Sequence, residues 1–422
     1  MIICIGKLNL KHYIEREMKI YTHLLLLLSF TLQSASCNAQ KHKTQVVESK
    51  HVYQPIITGA ENTSAYFDSL KGKRIALMVN QTSLIGTTHL VDSLLAKQLT
   101  IVKIFAPEHG FRGTADAGEK IKSGVDEKTG IPIVSLYGAK LKPDSNDLKN
   151  VDIVVYDIQD VGARCFTYIS SLYYLMEACA DNQLPLLVLD RPNPNIQRVD
   201  GPMLQQKYRS FVSLLPVPLL YGLTVGELAK MIVGERWLST SKPIQLLVVP
   251  CLNYTRNSVY DLPVKPSPNL PNSRAIYLYP SLVFFEGTNV SVGRGTDFPF
   301  QVFGAPEWKG LKFKFTPKSV AGATSPPFLN QECFGYDLQN TSREFDVENN
   351  GLNLQYLITA YKNASDKKNF FLKNGFVNKL AGYDLKSQIE IELSIEEIRG
   401  SWKKGLEQFK QSRIKYFLYP EI

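Results

Sequence analysis

Glu108 and His109 stand at the end of an apolar, β-branched run, Ile101-Val-Lys-Ile-Phe-Ala-Pro107, with Gly110 and Gly113 close behind. Packing alone does not call for two ionisable side chains and two glycines at the end of a buried strand. In open α/β sheets, ligands bind just beyond the carboxyl ends of the strands. Three further apolar runs end in polar groups: residues 73–79 in Asn80-Gln81, 151–156 in Asp157-Ile-Gln159-Asp160, and 184–189 in Asp190-Arg191. In a parallel sheet these ends share one edge, where carboxylates, amides and an imidazole would meet. One such end means little, since Asp after a strand often caps the next helix, and Asp190 fits that reading. Four together point to a site. Carboxylate pairs suit acid–base work at a glycosidic bond. One protonates the leaving oxygen, and a second group serves as base, as nucleophile or as support for a neighbouring acetamido group.

The elements that must position these groups are legible. Residues 88–99 carry Leu90, Val91, Leu94 and Leu95 at helical spacing. Residues 167–182 repeat that pattern, and Thr224-Val-Gly-Glu227 is a capping box opening a helix to about residue 238. Residues 131–137 and 244–249 add strands. Strand–helix alternation with continuously apolar strands predicts an α/β fold, a Rossmann-like parallel sheet domain over 56–262. The polar, Gly-rich stretch 111–130 reads as a functional loop. Pro263 to Pro271 holds four prolines and reads as a linker or a rigid wall. Beyond it, 263–422 reads as a smaller α+β domain closing the cleft. There an apolar run, 281–285, ends in Glu286-Gly-Thr-Asn289, and Val292-Gly-Arg294-Gly-Thr-Asp297 forms a Gly-rich charged loop. Residues 352–361 and 396–410 are expected to be helical, and 389–393 to be a short strand or the lead into the last helix.

Several chemistries lack their signatures. No G-x-G-x-x-G follows the first strand, no Walker A loop occurs, and neither G-x-S-x-G nor H-E-x-x-H is present. Of six histidines only His89 and His109 fall in the folded part, and adjacent Glu108 and His109 point apart on an extended chain, a poor chelate. No cofactor and no metal are expected. The net charge of +9 is spread through the chain, which argues against a nucleic-acid partner. Cys165, Cys179, Cys251 and Cys333 are far apart and show no zinc spacing.

The first 40 residues look like a targeting region. Lys19 precedes the apolar run Leu24–Leu32, followed by small and polar residues to Gln40, as in a signal peptide. The run is too short to span a membrane. Cleavage after Ala39 is preferred over lipidation at Cys37, and 41–55 then forms a polar tether. The expected location is exported, periplasmic or lipid-anchored in the envelope.

Five blocks together carry a resemblance: Phe105-Ala-Pro-Glu-His-Gly-Phe-Arg-Gly113, Asp157-Ile-Gln-Asp-Val-Gly-Ala-Arg164, Leu189-Asp-Arg-Pro-Asn-Pro194, Pro266-Ser-Pro-Asn-Leu-Pro271 and Glu286-Gly-Thr-Asn-Val-Ser-Val-Gly-Arg-Gly-Thr296. In this order, and from about residue 56 to the C-terminus, the chain resembles the exo-β-N-acetylmuramidases. The resemblance implies a site between a Rossmann-like domain and a smaller one. It also implies release of N-acetylmuramic acid from the non-reducing ends of peptidoglycan fragments, with Glu108 as the leading catalytic residue. Many members carry Glu where Val292 stands, which moves weight to Glu286. Asp157, Asp160 or Glu286 is then the second group, with His109 and Gln159 as orienting residues. The lactyl carboxylate of muramic acid calls for an arginine, and Arg112, Arg164, Arg191 and Arg294 all lie in these loops. Asn80, Gln81, Asp190, Asn289 and Asp297 complete the candidate binding set. The partners expected are peptidoglycan-derived sugars or muropeptides. Two rival readings are a non-catalytic receptor for wall sugars and a metal-dependent wall hydrolase.

Overall fold

The computed structural model describes residues 54–111, 123–340 and 351–421. Arg112, the targeting region, most of the tether and part of the 111–130 loop lie outside them.

Seven strands build the main sheet: β1 (Arg74–Val79), β2 (Thr100–Ala106), β3 (Gly124–Val125), β4 (Pro132–Ser135), β5 (Ile153–Asp157), β6 (Leu186–Leu189) and β7 (Leu246–Val249). Their order is β7-β6-β5-β1-β2-β4-β3, with every pair parallel except β3–β4. The chain starts in the middle, runs outward through β2 and β4, then returns to the other side of β1. That reversal is the doubly wound wiring expected of a Rossmann-like sheet.

Side chains alternate across a strand, so each strand feeds two cores. Ala76, Met78, Phe105, Val154, Tyr156 and Val188 face one core. Ile75, Leu77, Val79, Ile104, Val155 and Leu189 face the other. On the second face lies α1 (Leu90–Ala96), whose Leu90, Val91 and Leu94 are the apolar positions of its stripe. On the first lie α2 (Tyr168–Asp181) and α3 (Val225–Gly234). The capping box at Thr224 and Glu227 is complete, both side chains bonding the opposite backbone.

The first core continues into the C-terminal part without a break, and residues from Gln54 onward form one compact unit. Here α4 (Ser273–Leu282) runs into a 3-10 turn, Val283–Gly287. The apolar run 281–285 is therefore helical rather than another strand. Its residues are buried on all sides, which removes the periodicity that distinguishes a helix from a strand. A three-stranded antiparallel sheet follows, β8 (Val302–Ala305), β9 (Phe313–Phe315) and β10 (Cys333–Asp337), in the order β8-β10-β9. Four helices close the chain: α5 (Gln355–Asn363), α6 (Phe376–Ala381), α7 (Leu385–Glu390) and α8 (Ile395–Ser412). The 389–393 segment ends α7 and leads to α8. A second capping box, Ser394 with Glu397, starts α8, which buries Ile398, Trp402, Leu406 and Phe409 along one stripe. Burying such side chains contributes roughly 1.5–3 kcal/mol each.

Among the described residues no helix is long and apolar enough to cross a membrane.

Candidate active site

Glu108 follows β2 in a tight turn closed by the Gly110 amide donating to the Pro107 carbonyl at 3.0 Å. His109 sits in that turn with φ of 66°, left-handed backbone that a non-glycine residue adopts only when its surroundings fix it. Two hydroxyls aim the Glu108 carboxyl. Tyr137, just past β4, donates to Oε1 at 2.8 Å, and Thr167, at the start of α2, donates to Oε2 at 2.7 Å. Burial, then the neighbouring Glu108 charge, pushes the Tyr137 phenol well above its ordinary value, so it remains a donor. Glu108 is half-buried and lines a cavity of about 1070 Å³.

The proline-rich stretch 263–271 is a wall of this cavity. The Gln81 amide donates to the Lys265 and Pro266 carbonyls at 3.1 and 3.3 Å. The His109 ring meets the Ser267 hydroxyl at 3.3 Å, and Asn269 donates to the Gly322 carbonyl at 2.8 Å. Ser267, Asn269 and Leu270 thereby face the cavity. His109 lines it as well, and its ring fixes the wall to the turn that carries Glu108.

Glu286, Thr288, Asn289 and Val292 come from the C-terminal part. Glu286 accepts from Arg294 Nε at 2.7 Å, and the guanidinium lies 5.0 Å from the centre of the Phe300 ring. Asn289 places its Oδ1 in a buried spot with no hydrogen-bond partner among the described residues, an acceptor open to a ligand N–H or O–H. Gly287 allows this loop to press against α6, since a Cβ there would lie 2.4 Å from the Val377 nitrogen. Phe166, Tyr168, Tyr279, Phe285 and Phe300 supply an aromatic lining. Cys165 is among the lining residues too, but burial pushes its thiol up to about 12, so it stays uncharged.

The other predicted strand ends do not reach this cavity. Asp157 is fully buried and paired with Arg191 through Nε to Oδ1 at 2.5 Å and Nη2 to Oδ2 at 2.9 Å. The pair lies at the C-terminal ends of β5 and β6, and Arg191 Nη2 also donates to the Leu84 carbonyl at 3.0 Å. Asn80 forms a turn, its Oδ1 accepting from the Thr82 amide and hydroxyl at 2.9 and 2.6 Å. Gln159 donates to the Asp160 and Pro192 carbonyls at 2.8 and 2.7 Å. Asp190 accepts from Thr224 Oγ1 at 2.6 Å and the Gly226 amide at 2.8 Å, which makes it a cap for α3, as one reading of the sequence allowed. Asp297 is exposed and away from the lining.

Arg164 is wholly buried, and its guanidinium donates to the Pro202, Val217 and Ala381 carbonyls and to the Ser213 hydroxyl. Burial lowers its pKa to about 10. It ties α6 to the sheet-side loops, with four of its five N–H donors used within the chain, and it does not line the cavity. Gly382 completes the fit, because a Cβ there would lie 2.4 Å from Nη2. The sequence reading passed over Tyr137 and Thr167. Tyr137 ends a recognised strand on the same sheet edge, and Thr167 opens a recognised helix, so both carried a positional signal.

Asp160 is buried, with Oδ2 accepting from the Tyr221 hydroxyl and, at 2.6 Å, from the Gly162 amide, while Oδ1 has no hydrogen-bond partner among the described residues. Burial pushes its pKa, like that of Asp190, up to about 6. Between the unfolded value of 3.8 and about 6 the folded protein holds the extra proton, so stability falls as pH rises through that window. Asp160→Asn removes this term. Its unfolding free energy relative to wild type is expected to improve from pH 4.5 to pH 7.5, on the order of 2–3 kcal/mol at most. Urea titrations at the two pH values check it, and a pH-independent difference would refute the assignment.

A cavity outside strand ends, holding two carboxylates within an aromatic lining, has the groups that acid–base work at a glycosidic bond calls for. The chain belongs to the exo-β-N-acetylmuramidase NamZ family: profiles of its N-terminal and C-terminal domains match residues 75–274 and 277–419. The peptidoglycan β-N-acetylmuramidase NamZ of Bacillus subtilis (strain 168) is 38% identical over 423 residues, covering 95% of this chain and 99% of that protein. Two crystal structures from Bacteroides fragilis NCTC 9343, each described as a DUF1343 family protein, share the fold. One has a TM-score of 0.80 at 48% identity, over 87% of this chain and 100% of the other. The second has a TM-score of 0.70 at 30% identity, over 86% and 99%.

Proposed function

We propose that this glycosidase releases N-acetylmuramic acid from the non-reducing ends of peptidoglycan fragments, with Glu108 as the proton donor. The observation that carries the assignment is the Tyr137–Glu108–Thr167 arrangement on the cavity wall. Two donors hold the carboxyl in one orientation, so the proton is delivered without reorganisation. Glu286, paired with Arg294, is the second carboxylate on the cavity, and we assign it to the opposite side of the sugar or to its acetamido group. Arg294 then meets the lactyl carboxylate with the part of its guanidinium that Glu286 does not use. Asn289 Oδ1 accepts from the sugar. Residues 56–262 carry the acid, and both they and 263–422 supply the cavity's walls.

The Leu24–Leu32 run and the small residues before Gln40 support export, with cleavage after Ala39 or lipidation at Cys37. Export would bring the enzyme to its polymer. The activity is tested by incubating the enzyme with a defined glycan whose non-reducing end is N-acetylmuramic acid. Free N-acetylmuramic acid is expected as the first product, with the remaining chain shortened by one sugar. Internal cleavage into larger pieces would contradict the reading.

A further inference from the structure

We propose that Tyr137, Phe211 and Tyr174 form a platform for the sugars on the leaving-group side of the scissile bond; this rests on the exo-muramidase reading above. A general acid sits beside the oxygen it protonates, so the leaving chain departs past Glu108. Tyr137 touches that carboxyl and lines the cavity. Its ring centre lies 5.9 Å from that of Phe211, and Phe211 stacks on Tyr174 at 6.4 Å with planes 12° apart. The three rings lead in sequence from the acid out of the cavity.

The elements beneath the strip are built around it. From Tyr168 to Ala180 every residue of α2 is buried except Tyr174. Thr167, Ser170 and Tyr174 share one helix face at i, i+3 and i+7. The first bonds Glu108, the second donates to the Phe211 carbonyl at 2.7 Å, and the third is the outer ring. Seven residues of helix span about 10 Å, so the outer ring stands well beyond the bond being cut. Phe211 rides on a turn, Ser210–Ser213, closed by two backbone hydrogen bonds of 3.0 Å. The Ser213 hydroxyl accepts from Arg164 Nε and donates to the Leu380 carbonyl, each at 3.2 Å. The buried Arg164 thus ties down the turn on which Phe211 stands partly exposed. Aromatic faces in this state match the apolar faces of pyranose rings.

The test compares three stem-free substrates: an aryl β-N-acetylmuraminide, the muramyl disaccharide and the corresponding tetrasaccharide. Tyr174→Ala is expected to lower kcat/KM on the tetrasaccharide about tenfold relative to the aryl glycoside, mostly through KM, and Tyr174→Phe to restore it. Phe211→Ala is expected to penalise both sugar substrates against the aryl one. Tyr174→Leu keeps apolar bulk without the ring, and it is expected to fold as wild type yet keep the tetrasaccharide defect. Equal losses on all three substrates, or an unchanged ratio, would overturn the platform. So would a defect seen only when the glycan carries stem peptides, which would make the occupant a peptide. If wild type released no N-acetylmuramic acid from the disaccharide, the parent reading would fall instead.

Discussion

Glu108→Gln is expected to lower kcat/KM on the muramyl disaccharide by about 10²–10⁴-fold, the usual contribution of a positioned general acid. Gln keeps the shape, its amide oxygen accepting from one of the Tyr137 and Thr167 hydroxyls and its amide nitrogen donating to the other; these hydroxyls position the native carboxyl at 2.8 and 2.7 Å. Gln cannot give up a proton. Because geometry is retained, KM should change little and the loss should fall in kcat. Tyr137→Phe and Thr167→Ala, which remove one aiming hydroxyl each, should cost less than loss of the acid itself. A matching fall in stability for Glu108→Gln would show that the site had collapsed rather than lost its proton donor.

Arg191→Met is expected to cost about 3–5 kcal/mol of folding stability, because it strands a fully buried Asp157 carboxylate. Asp157 also lies beneath the start of the loop carrying Gln159 and Asp160, so the effect is central to the fold. The double variant Asp157→Asn, Arg191→Met should lose less than the sum of the single changes, as expected for residues in direct contact. Urea unfolding of the four proteins reads this out. The folded fraction of Arg191→Met should keep its kcat, since neither partner lines the cavity. A variant of wild-type stability with lost activity would instead place Arg191 on the substrate.

The central strands were legible because both of their faces are covered, so they read as unbroken apolar runs bounded by polar turns, whereas β3 is two exposed residues inside the stretch read as a loop. The capping box at Thr224 and Glu227 marked its helix start directly. The C-terminal part was less legible: residues 281–285 are buried all round, and neither helical nor strand periodicity survives there. For the site, the sequence pointed to polar strand ends along one sheet edge, but not to which polar groups face the cavity and which face each other. Asp157 with Arg191, and Asp190 with Thr224 and Gly226, are satisfied within the chain. Partner choice of this kind depends on distances of a few ångströms between segments far apart in sequence. Arg164 shows the same limit. Its place in a charged motif suggested a ligand, whereas its contacts are four oxygens of this chain, one of them at Ala381 in the C-terminal part.

The role of Glu108 is tested most directly by leaving-group dependence. Wild type and Glu108→Gln are compared on a series of aryl β-N-acetylmuraminides whose phenols span a wide range of acidity. A proton donor matters most when the leaving group is poor. Wild type is expected to show a shallow dependence and Glu108→Gln a steep one, the two approaching each other at the most acidic phenol. A constant loss across the series would contradict this and make Glu108 a binding group or a nucleophile.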